Sequence, residues 1–96
     1  MKKGDGRAQR KPELGREVGM TRAHVLVRLT PGLEANAVGQ IRTIPGVADI
    51  IMVFGRWDAI VTVEAKSLPA LSRLVISQIR GIQGVQATET LVTADI

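Results

Sequence analysis

The sequence has no cysteine and no tyrosine, and its 96 residues include one histidine, one tryptophan and one phenylalanine. Without cysteine there is neither a disulfide nor a thiolate nucleophile, and a single histidine argues against a His/Cys metal site. The motifs GxSxG, GxxxxGK[ST] and HExxH are also missing, which excludes the commonest serine-hydrolase, phosphate-binding and zinc-protease designs. The composition therefore favours a protein that is not an enzyme and uses no cofactor.

Long apolar runs are absent as well. No segment approaches the roughly 18 apolar residues of a membrane span, and the N-terminus lacks the apolar stretch of a signal peptide. We therefore expect a soluble, cytoplasmic protein with no membrane partner. A chain of 96 residues makes one small domain, which buries a smaller fraction of its surface than a large one. Association with further copies would bury more apolar surface.

Positive charge is concentrated at the N-terminus. Residues 1–19 contain six Lys or Arg and three Asp or Glu, whereas residues 20–96 contain seven and six. The first segment combines Gly, Pro and charge with few large apolar residues, so ordering it would cost entropy without burial. We predict a disordered basic extension over residues 1–20 and one folded domain over residues 21–96. Because the folded part is nearly neutral, we expect no specific DNA binding by it.

The remaining pattern predicts alternating strands and helices. Apolar residues alternate over residues 23–29, which is typical of a strand. Thr30 as N-cap and Pro31 in the first turn predict a helix that ends at Pro45–Gly46. The later elements are predicted in this order: a strand over 47–54, a loop over 55–57, a strand over 58–65, a helix that opens at 67–69 and ends near 81, and a strand from 85 toward 93.

An internal repeat relates the two halves of the chain at an offset of 38 residues. The segment IRTIPGV (41–47) aligns with IRGIQGV (79–85), and nine identities occur in 32 aligned positions. Each half is a strand, a helix and a strand. Two such halves predict an α+β, ferredoxin-like βαββαβ domain, with a four-stranded antiparallel sheet and both helices on one face.

Apolar residues occur on both predicted faces of the sheet. Leaving several of them in water would forgo several kcal/mol, at about 25 cal/mol per Å² of apolar area. We therefore predict that a second copy covers the face without helices, giving a homodimer of the dimeric α/β-barrel type. The predicted dimer-interface residues are Leu26, Ile50, Met52, Phe54 and Ile60.

The segment GRWD, Gly55–Asp58, is the main candidate for a binding site. It combines a flexible backbone, a cation, a flat apolar ring and a carboxylate in four residues between two predicted strands. The alternative is an ordinary turn, since Gly and Asp are common turn residues. Thr88 and Thr90 share one face of the last strand, where threonine is also simply a good strand former. Arg42 and Arg80 repeat at the helix ends, where a cation complements the helix dipole.

These features together resemble the C-terminal effector domain of the Lrp/AsnC, or feast/famine, regulators. The resemblance rests on the βαββαβ order, IPGV, GRWD and GVQATETLVT, and covers about residues 21–94. It implies a dimer whose copies join into higher oligomers and bind an amino acid between neighbouring dimers. At Trp57 the family more commonly has an acidic or tyrosyl residue. The ligand-binding residues implied by the resemblance are Gly55, Arg56, Trp57, Asp58, Thr88 and Thr90.

The resemblance implies specific roles within that set. The backbone of Gly55 would approach the ligand, and Asp58 would meet the α-ammonium group. The chain would be a stand-alone effector domain in transcription regulation, acting by ligand-dependent assembly or by association with full-length Lrp/AsnC regulators. Two alternatives stay open: a small monooxygenase-like enzyme with His24 and Trp57 in an apolar pocket, and an assembly-only scaffold in which Trp57 fills the cleft.

Overall fold

The computed structural model describes residues 20–94. Within these residues four strands form one antiparallel sheet in the order β2-β3-β1-β4, which confirms the predicted ferredoxin-like α+β fold. The predictions for residues 1–19 lie outside the described residues. The elements are β1 (Thr21–Leu29), α1 (Glu34–Ile41), β2 (Val47–Met52), β3 (Ala59–Ala65), α2 (68–80) and β4 (Val85–Val92).

The core lies between the sheet and both helices. Alternate residues of the two central strands, β1 and β3, are fully buried, as the period-2 pattern predicts. Each fully buried valine or isoleucine contributes about 1.5–3 kcal/mol relative to an exposed position. Because α1 and α2 bury their apolar stripes against the same side chains, both lie on one face of the sheet. The fully buried residues at the centre are Val25, Val27, Val61, Val63, Ile41, Leu71 and Ile79.

The sequence repeat produces two turns of matching geometry. Gly46 follows α1 with a φ of +101°, and Gly84 follows α2 with a φ of +102°. Each turn is closed by the same backbone hydrogen bond, from Val47 N to Ile44 O and from Val85 N to Ile82 O, both 3.1 Å. A side chain at Gly46 would overlap Val75 of α2, and one at Gly84 would crowd α1. Glycine is therefore required for backbone conformation and for packing at both turns.

Helix α1 begins later than predicted. Thr30 does not cap it: the helix starts at Glu34, and Leu33 precedes it without a side-chain cap. Gly32 has a φ of +91°, and Leu33 N donates to Thr30 O over 3.0 Å, so the segment forms a separate turn. The Glu34 carboxylate accepts a hydrogen bond from Gly32 N at 2.8 Å. The prediction was wrong because the glycine conformation interrupts the helix.

Helix α2 begins as predicted. The Ser67 hydroxyl accepts a hydrogen bond from Ala70 N at 3.2 Å, which is a side-chain N-cap. Its middle, Leu71–Ile76, is wound as a π-helix between two α-helical ends, Leu68–Ala70 and Ser77–Arg80. The wider winding still buries Leu71 and Val75, so the apolar stripe that predicted the helix is kept.

Two predicted interface residues lie on the wrong face of the sheet. Ile50 pairs with the fully buried Val61 and is itself 7% exposed. Met52 pairs with the buried Ala59 and lines a groove beside α1. Residues directly opposite each other in antiparallel strands share a face. Ile50 and Met52 therefore belong to the helix-facing side and not to the open one.

A β-bulge in β2 explains this error. Val47 pairs with Val63, but Asp49 pairs with the residue that precedes Val63 in β3, Thr62. One extra residue is inserted in β2, which reverses the alternation of faces along the rest of the strand. Counting by twos from Val47 along the sequence therefore assigns the wrong face to each later residue of the strand.

The open face, the side of the sheet without helices, carries an apolar row across three strands. Leu26 pairs with Ile60, and Ile60 pairs with Ile51, which is 51% exposed. Phe54 lies beyond the end of β2 with its side chain fully exposed.

Among residues 20–94, no helix combines the length and apolar character needed to cross a bilayer.

Candidate functional site

The GRWD segment forms the exposed tip of the β2–β3 hairpin. Val53 N donates to Asp58 O at 3.0 Å, which closes a loop of four residues over 54–57. Gly55 has a φ of +134°, a conformation that side chains rarely adopt. Apart from its chain neighbours, no heavy atom of the described residues lies within 4 Å of the position a Cβ would take at Gly55. The backbone at Gly55 is therefore open to an approaching molecule.

Asp58 ties the base of the loop to the central strand β1. Its backbone N donates to Val27 O at 2.8 Å, and its Oδ2 accepts a hydrogen bond from Leu29 N at 2.8 Å. The second contact falls where β1 is irregular against β4, between Arg28 and Leu29. One carboxylate oxygen of Asp58 thus already has a backbone partner, which gives this residue a structural role that its sequence position does not reveal.

Arg28 is part of the loop's surroundings and was missed in the sequence. Its Nε and Nη2 donate to Arg56 O at 3.3 and 3.0 Å. Its guanidinium carbon lies over the Trp57 ring, 5.3 Å from the ring centroid, within range of a cation–π interaction. The alternation that places Arg28 on the open face of β1 was visible in the sequence, but its contact with a distant loop of the chain was not.

Thr88 and Thr90 share a face, as predicted, and lie on the helix-facing side of β4. They pair with Val27 and Val25, whose side chains are buried under the helices. Both line an open groove of about 510 Å³ between β4 and α2. The groove also presents the side chain of Arg80, the last residue of α2. Two hydroxyls and a guanidinium in one groove suit a carboxylate or another small anion.

The loop and the threonines do not converge within one protomer. Ala59, beside Asp58, and Thr88 pair with Val27 from opposite sides. Two strand spacings separate them, roughly 10 Å between Cα atoms. Residues Gly55–Asp58 do not line the groove that contains Thr88 and Thr90. The loop and the groove are therefore two separate features of the same protomer.

His24 lies apart from both the loop and the groove. Its Nδ1 is 3.2 Å from the Thr62 hydroxyl, on the open face. It is four residues from Arg28, which contacts Trp57, so roughly 13 Å of strand lies between them. Within the described part of the chain, no three His, Cys, Asp or Glu residues cluster so that they could hold a metal ion. His24 and Trp57 therefore do not form the shared pocket that the enzyme alternative requires.

The fold and the exposed hairpin tip define a small ferredoxin-like α+β domain with a candidate ligand loop between its second and third strands. The chain belongs to the Lrp/AsnC family, because the family model for the Lrp/AsnC ligand binding domain matches residues 22–95. The family resemblance noted in the sequence is thereby confirmed. The chain is an Lrp/AsnC-type ligand-binding domain of the kind found in transcription regulators.

Relatives among known proteins are named as regulators. An uncharacterised HTH-type transcriptional regulator of Pyrococcus abyssi is 38% identical over 78 residues, 78% of this chain and 52% of that protein. A regulator of the same description from Pyrococcus horikoshii is 40% identical over 76 residues, 76% of this chain and 51% of that protein. The chain spans about half the length of these relatives.

Solved structures share the fold. A protein of Thermus thermophilus, TTHA0845, superposes with a TM-score of 0.72 and 29% identity, covering 79% of this chain and 95% of that one. A transcriptional regulator of Neisseria meningitidis, solved as a complex with L-methionine, superposes with a TM-score of 0.69 and 18% identity, covering 78% of this chain and 50% of that one. Because the identity of the Neisseria meningitidis protein is only 18%, its structure supports the fold of this chain and no shared ligand.

Proposed function

We propose that residues 21–96 act as an amino-acid-responsive, oligomeric effector domain in transcription regulation, without catalysis and without a cofactor. The observation that carries the proposal is the Gly55 backbone. It lies at an exposed tip beside open space, on a loop whose base is fastened to the central strand through Asp58. A small ligand therefore meets a preorganised backbone, which limits the entropy lost on binding.

The ligand site is proposed to lie between copies of the chain. A zwitterionic amino acid needs a partner for its carboxylate and another for its ammonium group. The groove at Thr88 and Arg80 suits the carboxylate, whereas Asp58 at the loop suits the ammonium group. Since these half-sites are roughly 10 Å apart in one protomer, the loop of one copy and the groove of a neighbour form a complete site more readily than either alone.

Dimerisation is proposed to occur through the open face. Leu26, Ile51 and Ile60 form an apolar row there, and Leu91, 47% exposed, pairs with His24 on the same face. Removing these side chains from water is favourable at about 25 cal/mol per Å². Polar pairs, Arg22 with Glu64 and His24 with Thr62, lie further along the face and would help to fix the register of the two sheets.

The mechanism is a shift of population. A ligand that binds better to one assembly than to another moves the equilibrium by no more than that difference in affinity. For this chain, the two states are proposed to be different assemblies of dimers, or free and regulator-bound forms. The regulator partner is proposed to be a full-length Lrp/AsnC protein, because the curated relatives of this chain are named HTH-type regulators.

Thermal unfolding with each of the twenty amino acids, L-methionine included, tests the sensing claim. A ligand at 100 times its dissociation constant stabilises the folded state by about 2.7 kcal/mol. We expect at least one amino acid to raise the melting temperature of the wild type, and a smaller rise in Thr90→Val, which removes only a hydroxyl. Ser72→Ala, an exposed position on α2, is the matched control. No shift with any amino acid would contradict the proposal.

A further inference from the structure

The guanidinium of Arg28 makes two different contacts with the ligand loop. It donates through Nε and Nη2 to one acceptor, Arg56 O, at 3.3 and 3.0 Å. It also lies over the Trp57 ring at 5.3 Å from the centroid. A planar guanidinium can donate from its edge while its face stacks on the ring, a geometry that the compact ammonium group of lysine does not reproduce. The tip of the loop is therefore held by one side chain from the neighbouring strand.

The strand that carries Arg28 is rigidly placed. β1 is paired on one side with β3 and on the other with β4. The residues on either side of Arg28 also hold the loop: Val27 O accepts from Asp58 N, and Leu29 N donates to Asp58 Oδ2, both at 2.8 Å. Three successive residues of a central strand thus fasten the loop, and all of these contacts lie within one protomer.

We propose that Arg28 is a positioning residue that holds Trp57 against its own protomer, so that the indole forms one wall of the ligand site and does not fill it. The statement about the ligand rests on the proposed function, whereas the statement about Arg28 and Trp57 rests on the contacts alone. Arg28 lies over one face of the ring, and Trp57 is part-exposed, which leaves some of the indole for a bound molecule.

This arrangement also selects the class of amino acid. Arg28 lies over the ring and Arg56 precedes Trp57 in the chain, whereas the carboxylate of the loop, Asp58, is taken up by the ligand's α-ammonium group in the proposed function. A basic side chain is repelled by the two guanidinium groups. An apolar or aromatic side chain packs on the free part of the indole without an electrostatic penalty. The ligand is therefore an amino acid with an apolar or aromatic side chain and not lysine or arginine.

Trp57 is the sole tryptophan, so its fluorescence reports on the loop directly. Acrylamide quenching is measured for the wild type, Arg28→Lys and Arg28→Met, with Arg73→Met on the exposed surface of α2 as the control. An exposed cation–π contact corresponds to a change of about two- to fivefold in the population of the held ring. We expect the quenching constant to rise by up to that factor in Arg28→Met, less in Arg28→Lys, and not in Arg73→Met.

Far-UV circular dichroism and the melting temperature show whether each variant is folded. A purely structural role of Arg28 would not make the quenching constant of Arg28→Met larger than that of Arg28→Lys. Equal quenching of the wild type and both Arg28 variants, all folded, overturns the proposal. Arg28→Lys serves as the second variant because it keeps the charge and most of the aliphatic stem, and so remains informative if Arg28→Met unfolds.

The ligand class is tested by adding L-leucine, L-methionine, L-phenylalanine or L-lysine at equal concentrations and following Trp57 emission. We expect a response to one or more of the first three, a weaker one to L-lysine, and loss of this discrimination in Arg28→Met. A stronger response to L-lysine overturns the assignment of class. A wild type that responds to none of the twenty amino acids contradicts the proposed function instead, and the acrylamide measurement still decides the role of Arg28.

Discussion

Replacing Gly46 with alanine is expected to destabilise this domain more than any ordinary surface change. Gly46 has a φ of +101°, a region that disfavours every residue with a Cβ. A Cβ there would lie 2.6 Å from Val75 Cγ2 and 3.0 Å from Glu64 O. Val75 is buried and Glu64 O is backbone of a central strand, so neither neighbour can move freely.

Two terms give the size of the effect. Holding alanine at positive φ costs about 1–2 kcal/mol, and inserting a methyl group into a packed core costs about 1–3 kcal/mol. Alanine also restricts the unfolded chain, which offsets about 0.4–1 kcal/mol. The net loss is about 1–5 kcal/mol, with a central value of about 3 kcal/mol. For a domain of this size the central value lowers the melting temperature by about 12–24 °C, at about 4–8 °C per kcal/mol.

Urea unfolding followed by circular dichroism measures the loss, with two matched controls. Gly32 has a φ of +91°, but a Cβ there meets no described atom within 4 Å. Gly32→Ala therefore isolates the backbone terms, a net loss of about 0–1.6 kcal/mol. Gly39 lies inside α1 without positive φ, and Gly39→Ala should stabilise by about 0.5–1 kcal/mol. If Gly46→Ala costs no more than Gly32→Ala, the packing argument is wrong.

Three further changes test other contacts. Ser67→Ala removes the N-cap of α2 and should cost about 1 kcal/mol in urea unfolding; no measurable cost would exclude that cap. Asp58→Ala leaves Leu29 N unpaired and should cost about 1–3 kcal/mol, whereas Asp58→Asn keeps an acceptor oxygen and should cost less; equal costs would count against the hydrogen bond. Ile51→Glu should preserve the circular dichroism spectrum but dissociate the dimer in light scattering, and an unchanged mass would exclude this face as the interface.

The fold was predictable from the sequence because its signals are local or repeated. The alternation that includes Val25 and Val27 indicates which strand residues pack against the helices. The second copy of the IPGV-type segment indicates where each helix ends. The Ser67-Leu68-Pro69 start of α2 is also a local signal, since the cap and the fixed φ of proline act within one turn. Each of these features favours the same local structure in an isolated segment as in the folded chain.

The sequence-based predictions were wrong where a single residue alters the spacing on which they depend. The conformation of Gly32 moves the start of α1 by about a turn, and nothing in the pattern of apolar residues reports it. The bulge after Val47 reverses the faces of β2, so Ile50 and Met52 were placed on the open side. A bulge depends on pairing with β3 and therefore has no fixed signature in the sequence of β2 alone.

The sequence predicted some residues of the candidate site but not the contacts between them. Gly55 and Asp58 stand out as residue types, but the hydrogen bond from Leu29 N to Asp58 and the stacking of Arg28 on Trp57 each join residues 29 positions apart in the chain. No spacing rule predicts such pairs. The separation of Thr88 from the loop likewise follows from the strand order, in which β1 lies between β3 and β4.

Sedimentation velocity of the wild-type protein with and without amino acids tests the central claim most directly. The account predicts a dimer or larger assembly in buffer, and a change in the distribution of oligomers on addition of an amino acid with an apolar or aromatic side chain. Ile51→Glu should sediment as a folded monomer under both conditions. A wild-type protein that remains monomeric would contradict the account, and an assembly that is unchanged by all twenty amino acids would exclude ligand-dependent assembly as its mechanism.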